Sequence, residues 1–175
     1  MHIPLQSGSD KILKLMNRKY NKSEFLKKIK EIRECIPDIN ITTDVITGFP
    51  SETESDFEEC LEFCETVGFS KIHTFPYSER TGTVAAKMPN QVPVNIRKER
   101  AKRLIALSDK LELIYNQDQI GKTFPVLIEE VKNDTSIGHT STYLKVLVNK
   151  SLEHNKFYDI TITQAFNDHV IGIVK

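Results

Sequence analysis

Asp44, in the stretch INITTDVITGFPSETESDF, is the residue in this 175-residue chain whose type and setting most suggest chemistry. It stands near the end of a run that alternates like a strand, just before the turn Gly48-Phe49-Pro50. An ionised carboxylate accepts two hydroxyls at once, each charge-assisted bond contributing about 1.5–3 kcal/mol, which suits a sugar diol. Gly48 fits a place where backbone closely approaches a flat ligand. Gln6 is a neutral donor and acceptor suited to an amino-acid moiety, and Arg18 carries the fork that grips a carboxylate. Each also has a plainer reading. Asp44 can be satisfied by Thr42 or a helix N-terminus, Gly48 can be a turn glycine, Arg18 a solvated helix-end arginine and Gln6 a turn residue.

The elements that must position these groups follow from periodicity. His2-Ile3-Pro4-Leu5 reads as a short buried strand, followed by a polar turn through Gln6, Ser7, Gly8 and Ser9. Ser9 or Asp10 caps a short helix over Lys11 to Asn17. Asn21, with Glu24 three residues on, forms a capping box for a helix whose buried face is Phe25, Ile29, Ile32 and Ile36. Pro37 stops that helix. In the next strand Ile41, Thr43 and Val45 share one side, and Thr42, Asp44 and Ile46 the other. A helix behind Ser51 and Thr53 buries Phe57, Cys60, Leu61, Cys64 and Val67 and closes at Gly68. Lys71 to Tyr77 is a third strand, ending in Ser78-Glu79-Arg80. Alternating strands and helices give a parallel sheet with right-handed crossovers. Its strand ends share one rim, where Gln6, Ser7, Asp44, Gly48, Tyr77 and Arg80 converge as a candidate ligand site.

The long loop from Ser78 to Pro93 reads as functional or linking. A helix over Asn95 to Gln119 has the inner stripe Ala101, Leu104, Leu107, Leu111 and Ile114. Arg97, Lys98 and Arg100 in its first turns could meet a phosphate backbone or form a solvated charged face. Beyond Gly121 four β-like runs, PVLIEEV, TYLKVLV, YDITIT and VIGIV, suggest a small antiparallel barrel of about 55 residues. Such a barrel could bind an oligonucleotide, with Lys145 among its basic residues, although its acidic residues balance the lysines.

Bulk properties narrow the class. Lysine plus arginine equals aspartate plus glutamate at 24 each, so phosphate neutralisation alone is not the design. No apolar run approaches the roughly 18–20 residues of a membrane span, so no membrane partner is expected. Three cysteines at irregular spacing do not make a secreted disulfide framework, and a cytoplasmic location is expected. Cys60 and Cys64 begin a Cys-x3-Cys pattern whose continuation falls on Val67, and all three cysteines read as packing residues. No catalytic residue and no metal ligand is assigned.

Four segments, HIPLQSGSDKILKLMNRKY, ITTDVITGFPSETESDF, IHTFPYSERTGTVAAKMPNQVP and GHTSTYLKVLV, resemble the radical S-adenosylmethionine methylthiotransferases. The resemblance covers nearly the whole chain. It implies an α/β fold, the C-terminal half of a partial (β/α)6 radical-SAM barrel over residues 1–118, followed by a small all-β, OB-like TRAM barrel over 119–175. It implies S-adenosylmethionine and 4Fe-4S clusters as cofactors and methylthiolation of tRNA, with the anticodon stem-loop as partner. Its wording is nearest the branch acting on threonylcarbamoyl-adenosine, with the isopentenyl-adenosine and ribosomal-protein branches as alternatives. Carried over, Gln6, Ser7 and Arg18 line the methionine end of S-adenosylmethionine, Asp44 its ribose, and Gly48 with Phe75 to Tyr77 the adenine. Arg80, Arg97, Lys98, Arg100 and Lys145 are the candidate RNA contacts. The family's cluster cysteines have no counterpart here, so an N-terminal part of the enzyme is expected as a partner. A non-catalytic RNA-binding fragment is the remaining alternative.

Overall fold

A computed structural model describes all 175 residues, which divide into two compact units, Met1–Ser108 and Asp109–Lys175. In the first unit the helices are α1 (Asp10–Leu15), α2 (Lys22–Cys35) and α3 (Glu54–Val67), with the strands β1 (Thr42–Thr47) and β2 (Lys71–Pro76). A 3-10 turn, Ala85–Lys87, precedes α4 (Val94–Gln117), within which the division falls. β1 and β2 pair in parallel, with Asp44 opposite His73. On the other edge of β1 the chain start adds two parallel bridges, His2 to Thr42 and Gln6 to Val45, where the sequence suggests a complete strand.

β1 buries Thr43, Val45 and Thr47 and leaves Thr42, Asp44 and Ile46 on the partly open face. Thr43 keeps its polar group satisfied there, its Oγ1 accepting from Leu5 N–H at 2.9 Å and donating to the Ile3 carbonyl at 2.8 Å. α2 forms because Asn21 accepts from Glu24 N–H at 2.9 Å while Glu24 accepts from Asn21 N–H at 3.0 Å. Its Phe25 meets Phe63 of α3 and Phe69, with ring centroids 6.4 and 6.2 Å apart. Ile36, expected on that face, is exposed because α2 has already ended at Cys35. Cys35 is exposed too, which corrects its reading as a packing residue; Cys60 and Cys64 are buried. The hydrogen bond with Cys60, then desolvation, push the Cys64 thiol well above its ordinary value.

α3 starts at a second capping box. Asp56 accepts from Thr53 N–H at 2.8 Å and Thr53 Oγ1 accepts from Asp56 N–H at 3.2 Å. Lys11 Nζ lies 2.6 Å from the same Asp56 carboxylate, tying α1 to α3. α3 ends where Gly68 turns left-handed (φ 65°), with Arg33 donating to the Val67 and Gly68 carbonyls.

The second unit is a closed five-stranded barrel in the order β3-β4-β5-β7-β6. Its strands are β3 (Thr123–Lys132), β4 (Thr135–Thr140), β5 (Lys145–Val148), β6 (Phe157–Ala165) and β7 (Val170–Val174). All pairings are antiparallel except β5 with β7. Val126, Ile128, Leu144, Val146, Val148, Ile160, Ile162 and Val170 fill the interior. β4 is the strand absent from the sequence reading, because its inward positions are Ser136, Gly138 and Thr140 rather than an apolar alternation. Ser136 Oγ donates to the Lys150 carbonyl at 2.7 Å, and Gly138 lies so near β3 that a Cβ would stand 2.1 Å from the Leu127 carbonyl oxygen. Ile114, placed on the inner stripe of α4, is exposed.

Desolvation alone would raise the Asp56 carboxyl, but bonds from Lys11 and Thr53 outweigh it and hold it below its ordinary 3.8. A depressed carboxyl stabilises the fold above the unfolded value, and that contribution is lost as pH falls through the folded value. Asp56→Asn should therefore unfold at lower temperature than wild type at neutral pH. The gap should narrow below about 3.8 in thermal scans across an acid series.

Candidate functional site

The open face of β1 and the end of β2 enclose a cavity of about 460 Å³. Gln6, Asp44, Ile46, Phe75, Tyr77, Ser78 and Arg80 line it, with Thr83 and Ala85 from the following loop. A neighbouring cavity of about 510 Å³ shares Gln6, Ile46 and Ala85 and is walled by Leu15, Met16, Arg18, Phe49, Val84 and Met88. Asp44 lines only the first and Arg18 only the second, so the two charged groups belong to adjoining spaces.

Asp44 is partly exposed, and its Oδ2 lies 3.3 Å from His2 Nε2, whose Nδ1 is 2.9 Å from Thr42 Oγ1. His2 thus approaches one carboxylate oxygen of Asp44, the residue that also lines the cavity. The sequence contained a signal for His2: strand alternation beside β1 puts it level with Thr42, on the face of Asp44. Gln6 adopts φ 71°, while its N–H donates to the Asp44 carbonyl at 2.8 Å and its carbonyl accepts from Ile46 N–H at 2.9 Å. The strand pairing is kept up to the residue where the chain bends away. Tyr77 packs edge-on against Phe49 at 5.4 Å, and its buried hydroxyl has no partner within the protein. Phe75 presents its ring half exposed.

Other candidates lie elsewhere. Ser7 is buried and its Oγ accepts from Ser9 N–H at 3.2 Å, so it shapes the turn and lines neither cavity. Gly48 also lies outside both. Its φ is 72°, its N–H donates to Glu52 Oε1 at 2.7 Å, and an added Cβ would stand 2.4 Å from Arg97 Cγ. What approaches Gly48 closely is an arginine of the protein itself. Arg18 and Arg80 are exposed at the cavity rims, Lys98 is exposed on α4, and Lys145 is half-buried on β5.

Arg97 and Arg100 need correction as RNA contacts, because both are buried, at 5% and 4% exposure. Arg100 pairs with Glu52 at 2.8 Å and Glu54 at 3.0 Å, its guanidinium 5.5 Å from the Phe57 ring centre. Burial pushes the Glu52 carboxyl up, against the pull of Gly48 N–H and Arg100. Arg100 thus fastens α4 to the start of α3 and offers no fork to a phosphate.

The pattern of the first 64 residues matches the radical SAM superfamily model. Over 177 aligned residues, 99% of this chain, the sequence is 44% identical to a tRNA-2-methylthio-N(6)-dimethylallyladenosine synthase of Caldicellulosiruptor saccharolyticus. It is 42% identical over 152 residues, 84% of this chain, to the threonylcarbamoyladenosine tRNA methylthiotransferase MtaB of Bacillus subtilis. Nearly the whole chain is thus similar to radical SAM tRNA methylthiotransferases. It spans 38% of the first relative's length and 34% of the second's. Coproporphyrinogen III oxidase (HemN) from Escherichia coli, a radical SAM enzyme, superposes with a TM-score of 0.53 at 13% identity. The match covers 79% of this chain and 40% of that one, a likeness of fold.

Removing one partner of a buried ion pair strands the other charge and costs about 3–5 kcal/mol. Glu52→Ala should lose that order of stability in urea unfolding, whereas the exposed Lys98→Ala should stay within about 0.5 kcal/mol of wild type. Equal effects would contradict the structural role given to the Glu52–Arg100 pair.

Proposed function

We propose that residues 1–118 form the nucleoside-binding part of a radical SAM domain, the C-terminal half of a partial (β/α)6 barrel, in a tRNA methylthiotransferase. Residues 119–175 act as its OB-like TRAM domain. The observation that carries the reading is the pair of adjoining cavities, one lined by the Asp44 carboxylate and the other by the Arg18 guanidinium. The residues fit S-adenosylmethionine: Asp44 would accept the ribose hydroxyls, Phe75 and Ile46 would give the base an apolar wall, and Arg18 would hold the methionine carboxylate. The similarity to that family implies S-adenosylmethionine and iron–sulfur clusters, which would supply the radical and sulfur chemistry of such enzymes. No group of three His, Cys, Asp or Glu side chains here could hold a metal ion, so these residues do not fit a cluster. What this chain does is bind, orient and wall off the nucleoside.

The substrate we favour is threonylcarbamoyl-adenosine beside the tRNA anticodon. Arg80 at the cavity rim offers a charge-assisted bond to its carboxylate, which an isopentenyl group lacks. The dimethylallyl name of the Caldicellulosiruptor relative supports the alternative. For RNA, the strand order of the barrel, first-second-third-fifth-fourth, supports an OB-like reading, with Lys145, Lys98 and Arg80 as contacts. No helix is long and apolar enough to cross a membrane, in keeping with a tRNA-modifying enzyme proposed for the cytoplasm.

Isothermal titration of this chain with S-adenosylhomocysteine tests the pocket. Asp44→Ala should weaken binding by about tenfold or more, the worth of a charge-assisted bond, and unchanged affinity would remove Asp44 from the site. For the RNA half, affinity for an anticodon stem-loop should fall steeply with salt; a flat response would remove that reading.

A further inference from the structure

The loop between β2 and α4 supplies Ser78, Arg80, Thr83 and Ala85 to one cavity and Val84, Ala85 and Met88 to the other. It is long and largely exposed, and both of its ends are held by one buried side chain outside the cavities. Arg97 NH1 donates to the Tyr77 carbonyl at 3.0 Å, where the loop begins, and Nε donates to the Val92 carbonyl at 2.6 Å, where it ends. NH2 reaches Glu79 at 3.1 Å and Gln91 Oε1 at 3.3 Å. The guanidinium lies 5.0 Å from the centre of the Tyr77 ring. Gln91 then carries the connection into the loop, its Nε2 donating to the Ala85 carbonyl at 2.9 Å and the Met88 carbonyl at 3.1 Å. Those two residues line the cavities.

Arg97 is itself fixed to β1. Thr47 Oγ1 donates to its carbonyl at 3.2 Å, and its stem fills the space that Gly48 leaves open. A hydrogen-bonded path therefore runs from the end of β1 through Arg97 and Gln91 to the cavity wall. We propose that Arg97 and Gln91 form a clasp that pre-positions the 78–91 loop, making them positioning residues for nucleoside binding although neither lines the two cavities. This rests on the nucleoside-pocket reading above. A wall ordered before binding spares the ligand the entropy of ordering it. Lysine in place of Arg97 keeps the charge but has no fork to hold both ends. Gln91→Met keeps the length and removes only the relay.

The test combines hydrogen exchange with S-adenosylhomocysteine titration of the whole chain, as wild type, Arg97→Lys and Gln91→Met. In both variants the amides of 79–91 should exchange faster while those of β1 and β2 do not, and affinity should fall about tenfold for lost pre-positioning bonds. Gln91→Met leaves the buried cation in its other bonds, so it reads out the relay even if Arg97→Lys folds poorly. Faster loop exchange with unchanged affinity would overturn the clasp's part in binding. A lower unfolding temperature with unchanged loop exchange and affinity would reduce Arg97 to a core strut. If wild type binds no S-adenosylhomocysteine, the pocket reading itself falls; if it binds and both variants match it, only the clasp falls.

Discussion

The register of β1 is the constraint on which the rest of the first unit depends. Side chains alternate across a strand, so a slip of one residue would send Asp44 into the core and Val45 to the open face. The register is fixed from both edges: Gln6 and His2 bridge one side, and β2 pairs along the whole of the other. The buried set Thr43, Val45 and Thr47 reinforces it, because Thr43 hydrogen-bonds back to the chain start and Thr47 to Arg97. Binding geometry and core packing are thus two faces of one alternation.

Buried charge follows from the same arrangement. α4 enters the first unit through Arg97 and Arg100, which lie near the turn between β1 and α3. An unpaired buried guanidinium would be costly, and each here is surrounded by carbonyl or carboxylate acceptors and an aromatic face. Glu52, Glu79 and Gln91 are therefore part of the site's architecture although they carry no chemistry of their own. The consequence is a loop in the cavity wall whose ends and middle are held by hydrogen bonds from Arg97 and Gln91.

Much of this was legible in the residues. Local devices wrote themselves plainly: the Asn21–Glu24 box, the left-handed Gly68, the alternation around Asp44 and the apolar face of α3 all formed as their spacing implies. What failed to show was whatever depends on partners distant in sequence. A run of basic residues on α4 looks the same whether it meets solvent or salt-bridges to Glu52 and Glu54 from the far side of the fold, so Arg97 and Arg100 were misread. Gly48 suggested a ligand's approach and instead accommodates Arg97. β4 was invisible because barrel curvature asks for Gly138 and hydrogen-bonded Ser136 and Thr140 where a flat strand would bury valine. His2 was passed over although alternation along the chain start, once paired with β1, puts it on the face of Asp44.

The central claim is that the adjoining cavities beside β1 receive a nucleoside. Titrating isotope-labelled protein with S-adenosylhomocysteine and following backbone amide resonances tests it most directly. Saturable shifts confined to Gln6, Asp44, Ile46, Phe75, Tyr77 and the 78–88 loop, with Arg18 following in the second cavity, are the predicted result. Binding whose shifts cluster away from these residues, or no saturable shifts at all, would contradict it.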